Sequence, residues 1–186
     1  HTLEASFNYQ NYQGSGYCYA MIPALKELYP DKKDLAMALS RHYEFFNTTP
    51  QLAALILGVS AAMEENNAMP DYVLGRIRAV MEENGLRSLH RVGLYGLTYK
   101  ENVDDIRNAP TLQLLERQNC FPVYDPFVAR DVVPCQHHDL MQFLGTVDMV
   151  VIMVKHRQIQ ENQHRLRGKV ILDCCNAVQL PGVYHL

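Results

Sequence analysis

The spacing of apolar residues changes at Gly85, and that change constrains the fold more than any other feature. Beyond it lie four short runs that are almost wholly apolar: Val92–Tyr95, Val123–Tyr124, 149–154 (Met-Val-Val-Ile-Met-Val) and 170–172. Short runs without polar alternation are expected of strands covered on both faces, as in a parallel sheet. Helical candidates lie between them, at 111–118, 138–144 and 157–166. Strand alternating with helix predicts a doubly wound α/β part with right-handed crossovers.

Before Gly85 the period is helical. Asp31 opens a stretch whose Leu35, Leu39, Tyr43 and Phe46 fall three and four apart, one stripe along a helix. Thr49-Pro50 is an N-cap followed by proline at the first helical position. The helix it starts runs through Leu52, Leu55, Ile56, Val59 and Met63 and is expected to end in Glu64-Glu65-Asn66-Asn67. Met69-Pro70-Asp71 is expected to start a third helix, with the stripe Val73, Ile77, Val80 and Met81 and a stop at Gly85. The fold class is therefore α/β, a Rossmann-like parallel sheet preceded by an all-helical part.

Composition excludes several function classes. With 48% hydrophobic and 20% charged residues the chain is neither disordered nor of low complexity. A net charge of −3 gives no electrostatic case for a nucleic-acid partner. The five cysteines are odd in number and lack C-x-x-C spacing, which argues against a disulfide framework or structural zinc and for a reducing, cytoplasmic compartment. The chain begins with His1 and shows no signal peptide, so it reads as a fragment. Two stretches, 5–25 and 45–63, carry no charge, but the apolar part of the second (52–63) is shorter than the ~20 residues of a membrane span. It reads as a buried or interfacial helix. The aromatics Phe7, Tyr9, Tyr12, Tyr17 and Tyr19 fit either a membrane-interface belt or a small core.

The densest polar constellation is Gly96-Leu-Thr-Tyr-Lys-Glu-Asn-Val-Asp-Asp-Ile-Arg107, leaving the first strand. Ligands of open α/β sheets bind outside the carboxyl ends of strands. Gly96 permits a sharp turn there. Lys100 and Arg107 bring two cations, which Asp104 and Asp105 can hold in place, and cations beside backbone amides suit a phosphate or diphosphate. Neither G-x-G-x-x-G nor a P-loop is present. The competing reading is a solvated loop with a local ion-pair network. His137, His138 and Asp139, with Cys135 nearby, read as a helix N-terminus rather than a metal site. Cys174-Cys175 read as strand-end thiols, since adjacent cysteines rarely meet disulfide geometry. His42 reads as structural rather than as a phosphorylated or proton-handling residue.

The string 96–110, Gly-Leu-Thr-Tyr-Lys-Glu-Asn-Val-Asp-Asp-Ile-Arg-Asn-Ala-Pro, resembles the signature that opens the UDP-binding domain of the UDP-glucose/GDP-mannose dehydrogenase family. The likeness extends over roughly 66–186. It takes in Asn66–Val73 before the inter-domain helix, Val123-Tyr-Asp-Pro126, the strand at 148–154, 170–176, and a tail at 180–184 like that of the UDP-N-acetylmannosamine dehydrogenase branch. The departures are Cys174-Cys175, where the family has Thr-Arg, and a short helix after Pro110. The resemblance implies a UDP-sugar partner held by Lys100, Arg107, Gly96, Tyr99 and Asn102, with Asn102, Asp104 and Asp105 also shaping the loop. It implies a homodimer formed through the helix 70–84. It implies NAD as the family's cofactor, for which this chain has no fingerprint. The family's catalytic Cys context is absent as well, so no catalytic residue is assigned and oxidation by these residues alone is not expected.

The first third is similar to another family. Gly16–Tyr29, then Arg41-His-Tyr-Glu-Phe-Phe-Asn-Thr-Thr-Pro50 and 57–65, resemble the IID membrane component of mannose-family sugar phosphotransferase systems. That likeness covers about 1–67 and implies a membrane or a transport subunit as partner. The two likenesses meet at 64–69, which implies a chimera. Its expected parts are a helical segment 1–67, a connecting helix 68–90 and a UDP-binding domain 91–186.

Overall fold

The computed structural model describes residues 7–186. The chain divides into two compact units, one ending at Met69 and the other running Pro70–Leu186. In the second unit the apolar runs become strands β1 (Val92–Tyr95), β2 (Val123–Tyr124), β4 (Met149–Ile152) and β5 (Val170–Asp173). Two-residue strands β3 (Gln136–His137) and β6 (Tyr184–His185) form the edges. All neighbours pair in parallel, in the order β3-β2-β1-β4-β5-β6. The chain winds outward from β1 to β3, then returns to the other side of β1. Strand order therefore reverses between β1 and β4, and the carboxyl ends of those strands form the topological switch point.

Strand side chains alternate between two apolar layers. Val92, Leu94, Val123, Met149, Val151 and Leu172 pack with Val73, Ile77 and Val80 of the helix preceding the sheet, and with Leu114 and Leu115 of the helix Pro110–Arg117. Tyr95, Tyr124, Val150, Ile152 and Ile171 pack on the opposite side, with Leu140, Phe143 and Leu144 of the helix Leu140–Thr146 and Ile159 of the helix Arg157–Glu161. Covering both faces explains the uninterrupted apolar runs, since each fully buried aliphatic side chain contributes about 1.5–3 kcal/mol. Gly93 is obligatory in this packing: a Cβ there would come within 2.5 Å of the Phe143 ring.

The first unit contains α1 (Gly14–Leu28), α2 (Lys32–His42) and the start of α3 (Pro50–Glu83). The helix α1 lies outside the periodic stretches of the sequence and carries Pro23 in its interior. Asp31 caps α2 by accepting the N–H groups of Lys33 and Asp34. That helix stops at His42, earlier than the stripe through Tyr43 and Phe46 implies. Phe46 instead reaches the core from the following loop, its ring stacked 4.0 Å from that of Tyr17. Tyr17, Met21, Leu25 and Ala38 are the buried centre. The aromatic stretch splits between its two readings: Tyr17 is buried, whereas Tyr9 is 93% exposed and Tyr19 is exposed too. Ala5 and Ser6, which begin the uncharged stretch 5–25, lie outside the described residues.

The expected break at 64–67 does not occur. The helix α3 runs 34 residues without interruption and carries Pro70 inside it. Glutamate, alanine and methionine are good helix formers, and the helix continues past the proline because Val73, Ile77 and Val80 are buried there. It ends as expected at Gly85, whose φ of +68° lets the Leu86 N–H reach the Met81 carbonyl at 2.8 Å. Along 52–63, Ala53, Ile56, Leu57 and Ala61 are buried or packed on the small core, and Leu52, Leu55, Val59 and Met63 are exposed. No helix among the described residues is long and apolar enough to cross a membrane.

Candidate functional site

The chain leaves β1 through a backbone turn that only glycine fits. Gly96 has φ +103°, and a Cβ would meet Val154 at 2.7 Å. The next two N–H groups, of Leu97 and Thr98, donate to Asp125 Oδ2 at 2.6 and 3.2 Å. Asp125 stands just past the end of β2, buried, and its Oδ1 accepts the Phe127 N–H at 2.8 Å. Burial pushes its carboxyl up, but the hydrogen bond from His156 and the N–H groups of Phe127 and Leu97 outweigh burial, and the net shift is downward.

His156 lies just past β4, on the other side of the switch point, and is fully buried. Its Nδ1 accepts the Asn102 N–H at 2.9 Å, so the ring proton sits on Nε2. That nitrogen faces Asp125 Oδ2 at 3.1 Å and Thr98 Oγ1 at 3.3 Å. Thr98 Oγ1 donates in turn to the Lys100 carbonyl at 2.8 Å. Asn102 adopts φ +59°, and its Oδ1 accepts the Arg157 N–H at 2.9 Å, closing the first turn of the helix Arg157–Glu161. Sequence reasoning did not single out Asp125 or His156 as site residues. The signal available was positional: each is an ionisable residue just beyond a buried strand at the sheet's carboxyl edge.

The residues expected to hold a ligand lie in one loop, in different states. Lys100 is exposed, 5.9 Å from the centre of the Tyr99 ring, and forms no ion pair among the described residues. Arg107 is 85% exposed, but its fork is engaged by Asp105 through Nε–Oδ1 at 2.9 Å and Nη2–Oδ2 at 2.8 Å. Those bonds, with a smaller contribution from Lys100, lower the Asp105 carboxyl to about 2. Asp104 pairs with neither cation and instead takes Arg130 at 2.6 Å. The Tyr99 N–H bonds the Asp105 carbonyl at 2.7 Å and folds the loop back on itself. Asn102 does double duty, its backbone on His156 and its side chain on the next helix.

The remaining candidates separate clearly. Asp139 caps the helix Leu140–Thr146, and His138 pairs with Asp131 at 2.8 Å. No group of three or more potential metal ligands occurs among the described residues. Burial, then the neighbouring Asp173, pushes the thiols of Cys174 and Cys175 up to about 12, so neither is a thiolate at neutral pH. In the first unit, His42 bonds Glu64 at 3.0 Å, beside Arg41 at 2.9 Å and the Tyr29 hydroxyl at 2.6 Å. Burial raises the Glu64 carboxyl, the hydrogen bonds from Arg41 and Tyr29 outweigh it, and the net shift is downward. A cavity of about 390 Å³ lies at the opposite edge of the sheet, between Arg78, Met81 and Arg87. It adjoins the C-terminus of α3, where helix carbonyls disfavour an anion.

A six-stranded parallel sheet with a charged loop at its switch point defines a Rossmann-like domain, and the helices before it form a separate class of segment. The comparisons with known proteins part between residues 82 and 93, just before the sheet and beyond the boundary of the compact units at Met69. Residues 93–180 match the UDP-binding domain of the UDP-glucose/GDP-mannose dehydrogenase family, and residues 1–82 match the IID component of the mannose/fructose/sorbose phosphotransferase family. The chain is thus similar to two sequence families in succession, the pattern of a chimera. Its second part is 26% identical over 132 residues to the UDP-N-acetyl-D-mannosamine dehydrogenase of Methanococcus aeolicus, covering 64% of this chain and 30% of that protein. The solved UDP-N-acetyl-mannosamine dehydrogenase of Staphylococcus aureus superposes with a TM-score of 0.58 at 29% identity, covering 74% of this chain and 35% of that one. The first part is 54% identical over 65 residues to the sorbose-specific IID component of Klebsiella pneumoniae, covering 35% of this chain and 24% of that protein. The chain therefore spans between a quarter and about a third of each relative.

The dehydrogenase family is NAD-dependent, and the residues of this sheet do not fit that cofactor. A dinucleotide fold uses an acid near the end of the second strand for the ribose hydroxyls. Here Asp125 is buried and both its oxygens accept bonds from the chain itself. Thirteen residues also separate Gly96 from the helix at Pro110, so no helix N-terminus follows the glycine turn.

Proposed function

We propose that the second unit holds the UDP part of a nucleotide sugar at the loop 96–107, without oxidising it. The observation that carries this reading is Lys100, an exposed ammonium beside the sheet's switch point with no ion-pair partner among the described residues. It is the group in the loop free to meet a diphosphate. Gly96 sets the turn, Asn102 fixes the backbone, Tyr99 offers an exposed ring, and Arg107 joins the anion only by sharing or leaving Asp105. Binding by this loop alone is weak, because a single exposed cation contributes little beyond charge attraction in water. The raised thiols of Cys174 and Cys175 favour binding over covalent chemistry. Titration calorimetry with UDP tests this: Lys100→Ala lowers affinity about tenfold, the loss of one charge-assisted contact, and leaves thermal stability unchanged. Equal affinity of the two proteins refutes it.

A second reading concerns residues 1–67, which would meet a membrane or a transport partner. The exposed stripe Leu52, Leu55, Val59 and Met63, with Phe45 and Tyr9, favours it. Co-sedimentation with lipid vesicles would support this, and its absence would remove the membrane form. A homodimer through 70–84 is also proposed. It must use the face of Tyr72, because Val73, Ile77 and Val80 are buried in their own domain. Sedimentation of Tyr72→Glu against the native chain tests it. A cytoplasmic site of action follows from the dehydrogenase-like reading. Failure of both binding tests leaves a fusion with neither activity.

A further inference from the structure

We propose that His156 is a positioning residue for the ligand loop, acting through the Asn102 amide rather than by touching ligand. The inference rests on the reading of loop 96–107 as the UDP site. Lys100 is held at its own carbonyl by Thr98 Oγ1, and two residues later by His156 Nδ1 on the Asn102 N–H. Both restraints converge on one buried ring, because His156 Nε2 faces Thr98 Oγ1 and Asp125 Oδ2. Asn102 sits in the left-handed region, which asparagine tolerates and which its bonds to His156 and Arg157 fix here. The ring is itself fixed by position: His156 is the N-cap of the helix Arg157–Glu161, and Asn102 Oδ1 closes that helix's first turn. Loop and helix therefore lock each other across the gap between β1 and β4. A loop released from this lock spreads Lys100 over many positions, and ordering it again weakens binding.

The two ring nitrogens have separable roles, and two substitutions divide them. An asparagine carries an oxygen at the place of Nδ1 and nothing at Nε2. A glutamine carries a donor near Nε2 and nothing at Nδ1. The full chain is compared as His156→Asn and His156→Gln, by UDP titration, by hydrogen exchange at the Asn102 amide and by thermal unfolding. His156→Gln is expected to lose protection at Asn102 and about tenfold in UDP affinity, with the amides of β1 and β4 still protected. His156→Asn is expected to keep the Asn102 protection and to bind within about threefold of native, although it melts lower because Asp125 loses a donor. A purely structural role predicts the reverse ranking, with affinity following melting temperature, and that ranking overturns the proposal. Nitrogen NMR of the native ring gives an independent reading: a proton on Nδ1 overturns the positioning role alone. Absence of UDP binding by a native chain with Nδ1 unprotonated and Asn102 protected overturns the UDP reading instead.

Discussion

Asp125→Asn removes the carboxylate on which backbone and side-chain donors of the loop and its neighbours converge. The carboxylate accepts four hydrogen bonds, from Leu97, Thr98, Phe127 and His156, at 2.6 to 3.2 Å. An amide offers one oxygen. Keeping that oxygen toward Leu97, Thr98 and His156 turns the amide NH2 toward the Phe127 N–H, so two donors oppose each other in a buried site. An unsatisfied buried donor costs about 1–3 kcal/mol, and bonds to a neutral acceptor are weaker than bonds to a charged one. Removing a buried charge recovers part of the loss. The balance is a destabilisation of about 2–4 kcal/mol, a fall in Tm of roughly 8–16 °C for a domain of this size. Thermal unfolding measures it, with Asp104→Asn as the control. Asp104 meets Arg130 at the surface, and an exposed pair contributes at most about 1 kcal/mol. A fall of less than about 2 °C for Asp125→Asn, or equal falls for both variants, would refute the assignment of Asp125 as the anchor of the loop.

The other predictions concern groups outside that anchor. Glu64→Gln weakens the packing of the first unit by about 1–3 kcal/mol, because it removes the charge that Tyr29, Arg41 and His42 converge on. Its folded carboxyl lies below the ordinary value, so the stabilisation is complete above about pH 4.5 and is lost as pH falls through the folded value. Acid titration of the helical circular dichroism should show this loss in the native chain and not in the variant. Thiol alkylation should label exposed Cys135 first and leave Cys174 and Cys175 unmodified until the chain unfolds. Mass spectrometry showing early labelling of Cys175 would contradict its half-buried, raised thiol.

The layered sheet was legible because burial on both faces leaves unbroken apolar runs, and β1, β2, β4 and β5 follow them closely. The edge strands β3 and β6 were not. Each is two residues long, Gln136–His137 and Tyr184–His185, and edge pairing requires no apolar pattern. The continuity of α3 was hidden by Pro70, which reads as a helix start although a proline can also lie inside a helix that tertiary packing supports. The loop 96–107 stood out in sequence because its charges are contiguous. Its lock did not, because His156 reaches Thr98 across 58 positions and Asp125 across 31. Those contacts exist only once the strand order brings the carboxyl edges of β1, β2 and β4 together. The sequence also led us to expect Asp104 and Asp105 to share the two cations. In the fold, Arg130 arrives from the loop after β2 and takes Asp104 for itself.

Amide chemical-shift mapping of the folded chain during addition of UDP reaches the central question most directly. Saturable shifts are expected, confined to residues from Gly96 to Arg107 and their contacts at Asp125 and His156, with uridine causing far smaller ones because it lacks the diphosphate. Shifts that are absent, or that gather at the Arg78 and Arg87 end of the sheet, would contradict UDP binding at the loop.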